Sequence, residues 1–246
     1  MAKINWQLYL RKTLYVVAIG LLIFLLVSLR AKHLKQVCTD IDINISVPSD
    51  RQMINRAMIE DKLMQWYSGG LIGVPSANID LADIEKQLLA MDVVAKAEVS
   101  FQLGGELQID IDQRIPILRI YSNENESYFL DYTGAKISWG EYNSPRVIIA
   151  SGHLSESMIK KVYTLARYVQ ENPFAEAITE QIFVTDGGDL ILIPKLSSQQ
   201  VIFGDATELE DKFYRLEQFY KHGMKRVGWD KYKTINLKFA NQIVCS

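Results

Sequence analysis

Residues 97–117 read AEVSFQLGGELQIDIDQRIPI, and the alternation within them decides the fold. Ala97, Val99 and Phe101 stand two apart with Glu98, Ser100 and Gln102 between them, and Leu107, Ile109 and Ile111 repeat that spacing against Gln108, Asp110 and Asp112. Successive side chains of a strand point to opposite faces, so each run is a strand with one apolar and one polar face. Gly104-Gly105 supplies the tight turn that folds the two runs into a hairpin.

Upstream of the hairpin, Asp80 is placed to cap a helix in which Leu81, Ile84, Leu88 and Met91 follow helical spacing, with Asp83 adding favourable charge to its first turn. Residues 68–75 hold three glycines and a proline and form a loop, since a helix through them would be too costly. Before the loop, Ser49 or Asp50 starts a helix expected to reach Trp66, with Ile54, Met58, Met64 and Trp66 buried. Earlier still, Ile41, Ile43, Ile45 and Val47 alternate with Asp42, Asn44 and Ser46 as a half-buried strand. The expected order over residues 36–121 is strand, helix, helix, strand, strand.

Downstream, a polar linker at 123–127 leads to a hairpin around Asp131-Tyr132-Thr133-Gly134 and a short strand from Arg146 to Ala150. Ser155 caps a helix reaching about Gln170, which Asn172-Pro173 ends. Two strands flank Asp186-Gly187-Gly188, and another runs from Gln200 to Phe203. A helix follows with Leu209, Phe213, Leu216, Phe219 and Tyr220 on one face. Ile235, Leu237 and Phe239 alternate in a strand, Asn241 turns the chain, and Gln242 to Ser246 form a last strand. Residues 122–246 thus read as a mixed β domain with two helices, and the fold class is α+β.

The N-terminus is of another kind. Thr13 to Leu29 holds no charged residue, and twelve of these residues are Leu, Ile, Val or Phe. On the insertion scale they favour a bilayer by about 4–7 kcal/mol, and as a helix the run is about 26 Å long. Ser28-Leu29-Arg30-Ala31 lacks a small-x-small cleavage pattern, so the run reads as an uncleaved anchor. Residues 1–12 are then a cytoplasmic tail and 13–35 a single transmembrane helix with its juxtamembrane segment. Lys3, Arg11 and Lys12 are balanced by Arg30, Lys32 and Lys35, so charge does not orient it, and the short N-terminus before a long domain puts residues 36–246 outside the cytoplasm.

Composition removes several function classes. Residues 36–246 carry 21 basic against 29 acidic residues, an acidic body unsuited to a phosphate backbone, so no nucleic acid is expected. His33, His153 and His222 are isolated, Cys38 and Cys245 share no motif, and Val37 precedes Cys38 where a lipoprotein signal needs a small residue. Asp110 and Asp112 share a strand face and read as a solvated surface rather than an acid–base pair. With no nucleophile elbow, metal cluster or phosphate loop, neither catalysis nor a cofactor nor a small-molecule substrate is expected.

The strand-helix-helix-strand-strand order, closed by Arg114-Ile115-Pro116-Ile117, resembles a POTRA domain. The series Ile84, Leu88, Val94, Ala97, Val99 before Gly-Gly and the Pro116 exit is similar to that of the bacterial cell-division family FtsQ, or DivIB. The Asp-x-x-Gly hairpin after it, the Phe203-Gly204-Asp205 junction and the strand Ile235 to Phe239 followed by a turn Asn and a last strand extend the resemblance to an FtsQ-like β domain. It implies a divisome scaffold at the septum of the cell inner membrane, linking early and late division proteins to control septal peptidoglycan synthesis. It also implies FtsB-like and FtsL-like coiled-coil partners, contacts with the FtsW/FtsI septal synthase complex, and a partner strand received by Phe239, Asn241, Gln242, Ile243, Val244, Cys245 and Ser246. The alternative is another POTRA-bearing factor for secretion or outer-membrane assembly, against which stands the lack of a second POTRA repeat.

Overall fold

The computed structural model describes residues 14, 15, 17–24, 36–122, 127–195, 198–229 and 231–246. The chain divides into two compact units. The first takes in the described residues up to Ile45 with Asn55–Ala90 and Lys96–Ile111; the second takes in Ser46–Ile54, Met91–Ala95 and Asp112–Ser246.

Of the expected anchor, residues 14, 15 and 17–24 are helical and expose apolar side chains, Leu14 and Phe24 each at 72%. The rest of it lies outside the described residues, among which no helix is long and apolar enough to cross a membrane.

Among the described residues the first unit carries a three-stranded sheet in the order β1-β3-β2, from β1 (Asp40–Ser46), β2 (Val94–Phe101) and β3 (Glu106–Gln113). Helices α1 (Arg56–Trp66) and α2 (Leu81–Leu89) bury Ile59, Leu63, Ile84 and Leu88, and the strands bury Ile43, Val99, Leu107 and Ile109. The Asp80 carboxylate accepts from the Asp83 N–H at 3.1 Å, as the sequence predicts for α2. The Tyr67 hydroxyl donates to Asp83 at 2.6 Å and ties the end of α1 to the start of α2.

The first helix does not begin at Ser49 or Asp50. Ser49–Arg51 makes only a 3-10 turn, and α1 starts at Arg56 with Asn55 accepting from the Met58 N–H. The cause is Gln113, whose buried side-chain oxygen takes the N–H groups of both Met53 and Ile54 at 2.7 and 3.0 Å, withdrawing them from any helix. Ile59 and Leu63 are accordingly the buried residues of α1, while Met64 is 59% exposed.

Among the described residues the second unit carries a nine-stranded sheet in the order β12-β11-β10-β9-β8-β7-β4-β5-β6. Its strands are β4 (Pro116–Tyr121), β5 (Ser127–Asp131), β6 (Lys136–Ser138), β7 (Ile148–Gly152), β8 (Thr179–Val184), β9 (Leu190–Pro194), β10 (Gln200–Gly204), β11 (Thr234–Asn236) and β12 (Val244–Cys245). Residues 116–121, expected as the exit of the first domain, form β4, which pairs with β5 and β7 in this sheet.

Three pairings are parallel and require crossovers, β4 with β7, β7 with β8 and β10 with β11, and the last two crossovers carry the helices. That from β7 to β8 holds α3 (Glu156–Glu171) and α4 (Pro173–Ile178); that from β10 to β11 holds α5 (Leu209–Gln218), a π-helical turn (Phe219–Gly223) and α6 (Met224–Val227). The expectation of two helices is therefore corrected. Asn172-Pro173 ends α3 as predicted, but the Asn172 side chain then accepts from the Ala175 N–H at 2.9 Å and Pro173 occupies the first turn of α4. Leu118, Ile120, Ile182, Val184, Leu192, Val201, Phe203 and Ile235 pack in one core with Val162, Leu165, Val169, Phe213 and Leu216 from the helices.

Candidate partner-strand edge

The far edge of the second sheet is built by the last thirteen residues. Ile235 and Leu237 are fully buried and anchor β11 beside β10. The strand stops sooner than the Ile235, Leu237, Phe239 alternation predicts, because the Asn236 side chain accepts from the Lys238 N–H at 3.0 Å and bends the chain. Phe239 is therefore in a turn, 48% exposed, and Asn241 follows with φ 59°, a left-handed conformation that asparagine tolerates.

The chain then returns as β12, antiparallel to β11, with Ile235 opposite Cys245 and Asn236 opposite Val244. Thr234 and Ser246 exchange both backbone hydrogen bonds, at 3.0 and 3.2 Å, and the Lys233 N–H also donates to the Ser246 carbonyl at 2.8 Å. In an antiparallel ladder bonded and non-bonded pairs alternate. Ser246 and Val244 thus spend their backbone groups on β11, and the N–H and C=O of Cys245 point to the outer side. Among the described residues no strand pairs with β12 there. Side chains alternate as well: Ile243 and Cys245 pack against the core, whereas Gln242, Val244 and Ser246 are exposed.

One residue that the sequence reading missed holds this edge in place. Arg215 on α5 donates to the carbonyls of Gln242 at 2.7 Å, Phe239 at 3.0 Å and Leu237 at 3.4 Å, while its Nε pairs with Asp211 at 2.7 Å. In sequence Asp211 and Arg215 show only the i,i+4 spacing of a solvated helix pair, which gives no sign that the guanidinium fork takes backbone carbonyls. Thr234 was likewise missed; its hydroxyl meets that of Ser246.

Asp110 accepts from Asn44 at 3.1 Å and from Gln108 at 2.8 Å on the outer face of β3. Cys38 and Cys245 are free thiols, and burial pushes both up, away from the reactive thiolate. Among the described residues no group of His, Cys, Asp or Glu could hold a metal ion.

Known families fit this geometry. The family model for the FtsQ/DivIB C-terminal related domain matches residues 115–246, the whole of the second sheet with its helices and its β12 edge. The chain belongs to the FtsQ/DivIB family. A POTRA-like domain model matches residues 36–112, which cover β1, α1, α2, β2 and most of β3. Both models break between 112 and 115, where the chain passes from β3 into β4. No curated protein matches the chain. An FtsQ/DivIB membership places it among cell-division proteins of a scaffolding kind.

Proposed function

We propose that the chain is a membrane-anchored scaffold of the division machinery that accepts an extended segment of a partner along β12. One observation supports this: among the described residues no strand pairs with the outer side of β12, where the register leaves the backbone groups of Cys245. A strand laid there completes them, and the exposed side chains of Val244 and Phe239 beside it give the contact an apolar component. The partners are FtsB-like and FtsL-like coiled-coil proteins, with the FtsW/FtsI septal synthase complex beyond them. Residues 13–29 form the anchor, in keeping with the exposed apolar side chains of helical residues 14, 15 and 17–24, and the two domains stand outside the cytoplasm at the septum.

The register sharpens the test. Cys245→Pro removes an outward donor and leaves the ladder to β11 intact, because proline is tolerated on edge strands. A lost hydrogen bond costs about 1 kcal/mol, and the partner carbonyl left unpaired adds about 1–3, so affinity for an FtsB–FtsL-type pair should fall roughly 30- to 1000-fold. Val244→Pro removes a donor bonded to β11 and should detach the strand itself. Unchanged affinity of the full-length Cys245→Pro protein in detergent would refute the placement.

A further inference from the structure

A second feature of the β domain is unconnected with the β12 edge. A cavity of about 340 Å3 is lined by Arg51, Arg119, Arg146, Thr179 and Lys195, with Glu176 and Glu180 as its two carboxylates; Gln170 of α3 and Glu176 of α4 bring the helices to its wall. Two of the four cations are already engaged. Arg51 donates to the Pro116 carbonyl at 3.2 Å and to Gln170 at 3.1 Å and pairs with Glu176 at 3.5 Å; Lys195 donates to the Glu176 carbonyl at 2.7 Å.

The other two are not. Arg119 is half-buried, with its guanidinium stacked 3.4 Å from the centroid of the Trp139 ring, and its buried Nε has no hydrogen-bond partner. It pairs with no carboxylate among the described residues, although burial disfavours its charge and pushes it down from its ordinary value. Arg146, at the mouth, is exposed and makes no ion pair among the described residues. Thr179 is 2% exposed, and its hydroxyl has no partner either. Buried donors are almost always satisfied, and an uncompensated guanidinium is the more costly case. Here an orphan N–H and an orphan hydroxyl line one cavity, the first on a guanidinium that makes no ion pair among the described residues.

We propose that this cavity binds a small oxyanion, a phosphate or carboxylate group, with Arg119 and Thr179 as its inner donors and Arg146 as its outer one. Guanidinium and hydroxyl match an oxygen acceptor, and the stacking on Trp139 fixes the plane of the fork before a ligand arrives. The volume admits a compact ligand and not a folded segment of protein.

The test is calorimetric titration of the full-length protein in detergent at low salt with two probes, inorganic pyrophosphate and citrate. Saturable one-to-one binding of at least one is expected, and whichever is tighter identifies phosphate or carboxylate as the preferred source. Arg119→Gln should weaken it about tenfold or more, and the isosteric Thr179→Val about threefold or more, as loss of a charge-assisted and of a neutral hydrogen bond. Lys160→Gln, a surface cation on α3, should leave it unchanged. Circular dichroism confirms that the variants are folded, and Thr179→Val keeps the test open should Arg119→Gln misfold. Absence of saturable binding by both probes up to about ten millimolar, far above any specific affinity, overturns the proposal. So does binding that neither cavity substitution weakens.

Discussion

Replacing Arg215 by alanine should loosen the end of the chain while leaving the β domain folded. The side chain is 12% exposed and makes two short hydrogen bonds to the Gln242 and Phe239 carbonyls, with a third, longer one to Leu237. A hydrogen bond from a charged donor contributes about 1.5–3 kcal/mol net, but Phe239 and Gln242 are exposed and water replaces part of what is lost, so about 2–3 kcal/mol is the expected local cost. Against it, β12 is held by its exchange with Thr234, the Lys233 bond to the Ser246 carbonyl and the Val244 pairing, about five hydrogen bonds at about 1 kcal/mol each. Arg215 thus supplies roughly a third of what holds the strand, and without it the end of the chain opens more often. Amide hydrogen exchange reads this directly. Ser246, whose N–H is bonded to the Thr234 carbonyl, should exchange roughly 30- to 150-fold faster in Arg215→Ala, whereas Ile182 in the middle of the sheet should not change. Arg215→Lys keeps the charge without the fork and should fall between the two. Ser246 exchange equal to that of the unaltered protein would show that the ladder alone holds the tail and that the reasoning about Arg215 is mistaken.

Two further outcomes follow from buried polar groups of the β domain. Burial alone would raise the Asp131 carboxyl, but bonds from Thr133, Ala135 and Arg114 outweigh it and hold it below its ordinary value. A depressed carboxyl contributes stability above its unfolded pKa of about 4 and loses it as pH falls through the folded value, so Asp131→Asn should destabilise the domain near neutral pH and flatten its acid limb below about pH 4, measured by urea denaturation at several pH values. Gln113 is 4% exposed, accepts from Met53 and Ile54 and donates to the Arg51 and Arg114 carbonyls at 3.0 and 3.1 Å; Gln113→Ala orphans all four groups and should cost about 3 kcal/mol or more in the same assay, and a loss below about 1 kcal/mol would mean that water replaces them.

Where local signals were self-sufficient, the sequence reading and the structure agree. The hairpin at 97–112, the Asp80 and Ser155 caps and the Asp131 and Gly187-Gly188 turns each rest on neighbours within a few residues. Errors arose where a distant side chain outcompetes local preference. Gln113, about sixty residues away, pulls Met53 and Ile54 out of the first helix, and no periodicity around Ser49 reports it. Pro116 reads as the exit of one domain but opens a strand of the next, because pairing with β7 at Leu118 and Ile148 is a long-range fact. At the edge, alternation placed Phe239 in a strand, yet the Asn236 side chain ended it three residues earlier. The tail was legible as a strand, while which of its backbone groups face outward was not, since that depends on the register between Thr234 and Ser246. Register singles out Cys245 among the predicted tail residues as the one in β12 whose backbone groups lie on the outer side.

Hydrogen exchange at the Cys245 amide, with and without a saturating FtsB–FtsL-type pair, examines the edge itself. In the free protein this amide should exchange quickly while Ser246 beside it is protected. In the complex Cys245 should become protected too, because a partner carbonyl now accepts from it. If the pair binds at saturation and Cys245 still exchanges at its free rate, the partner sits elsewhere and β12 is not its seat.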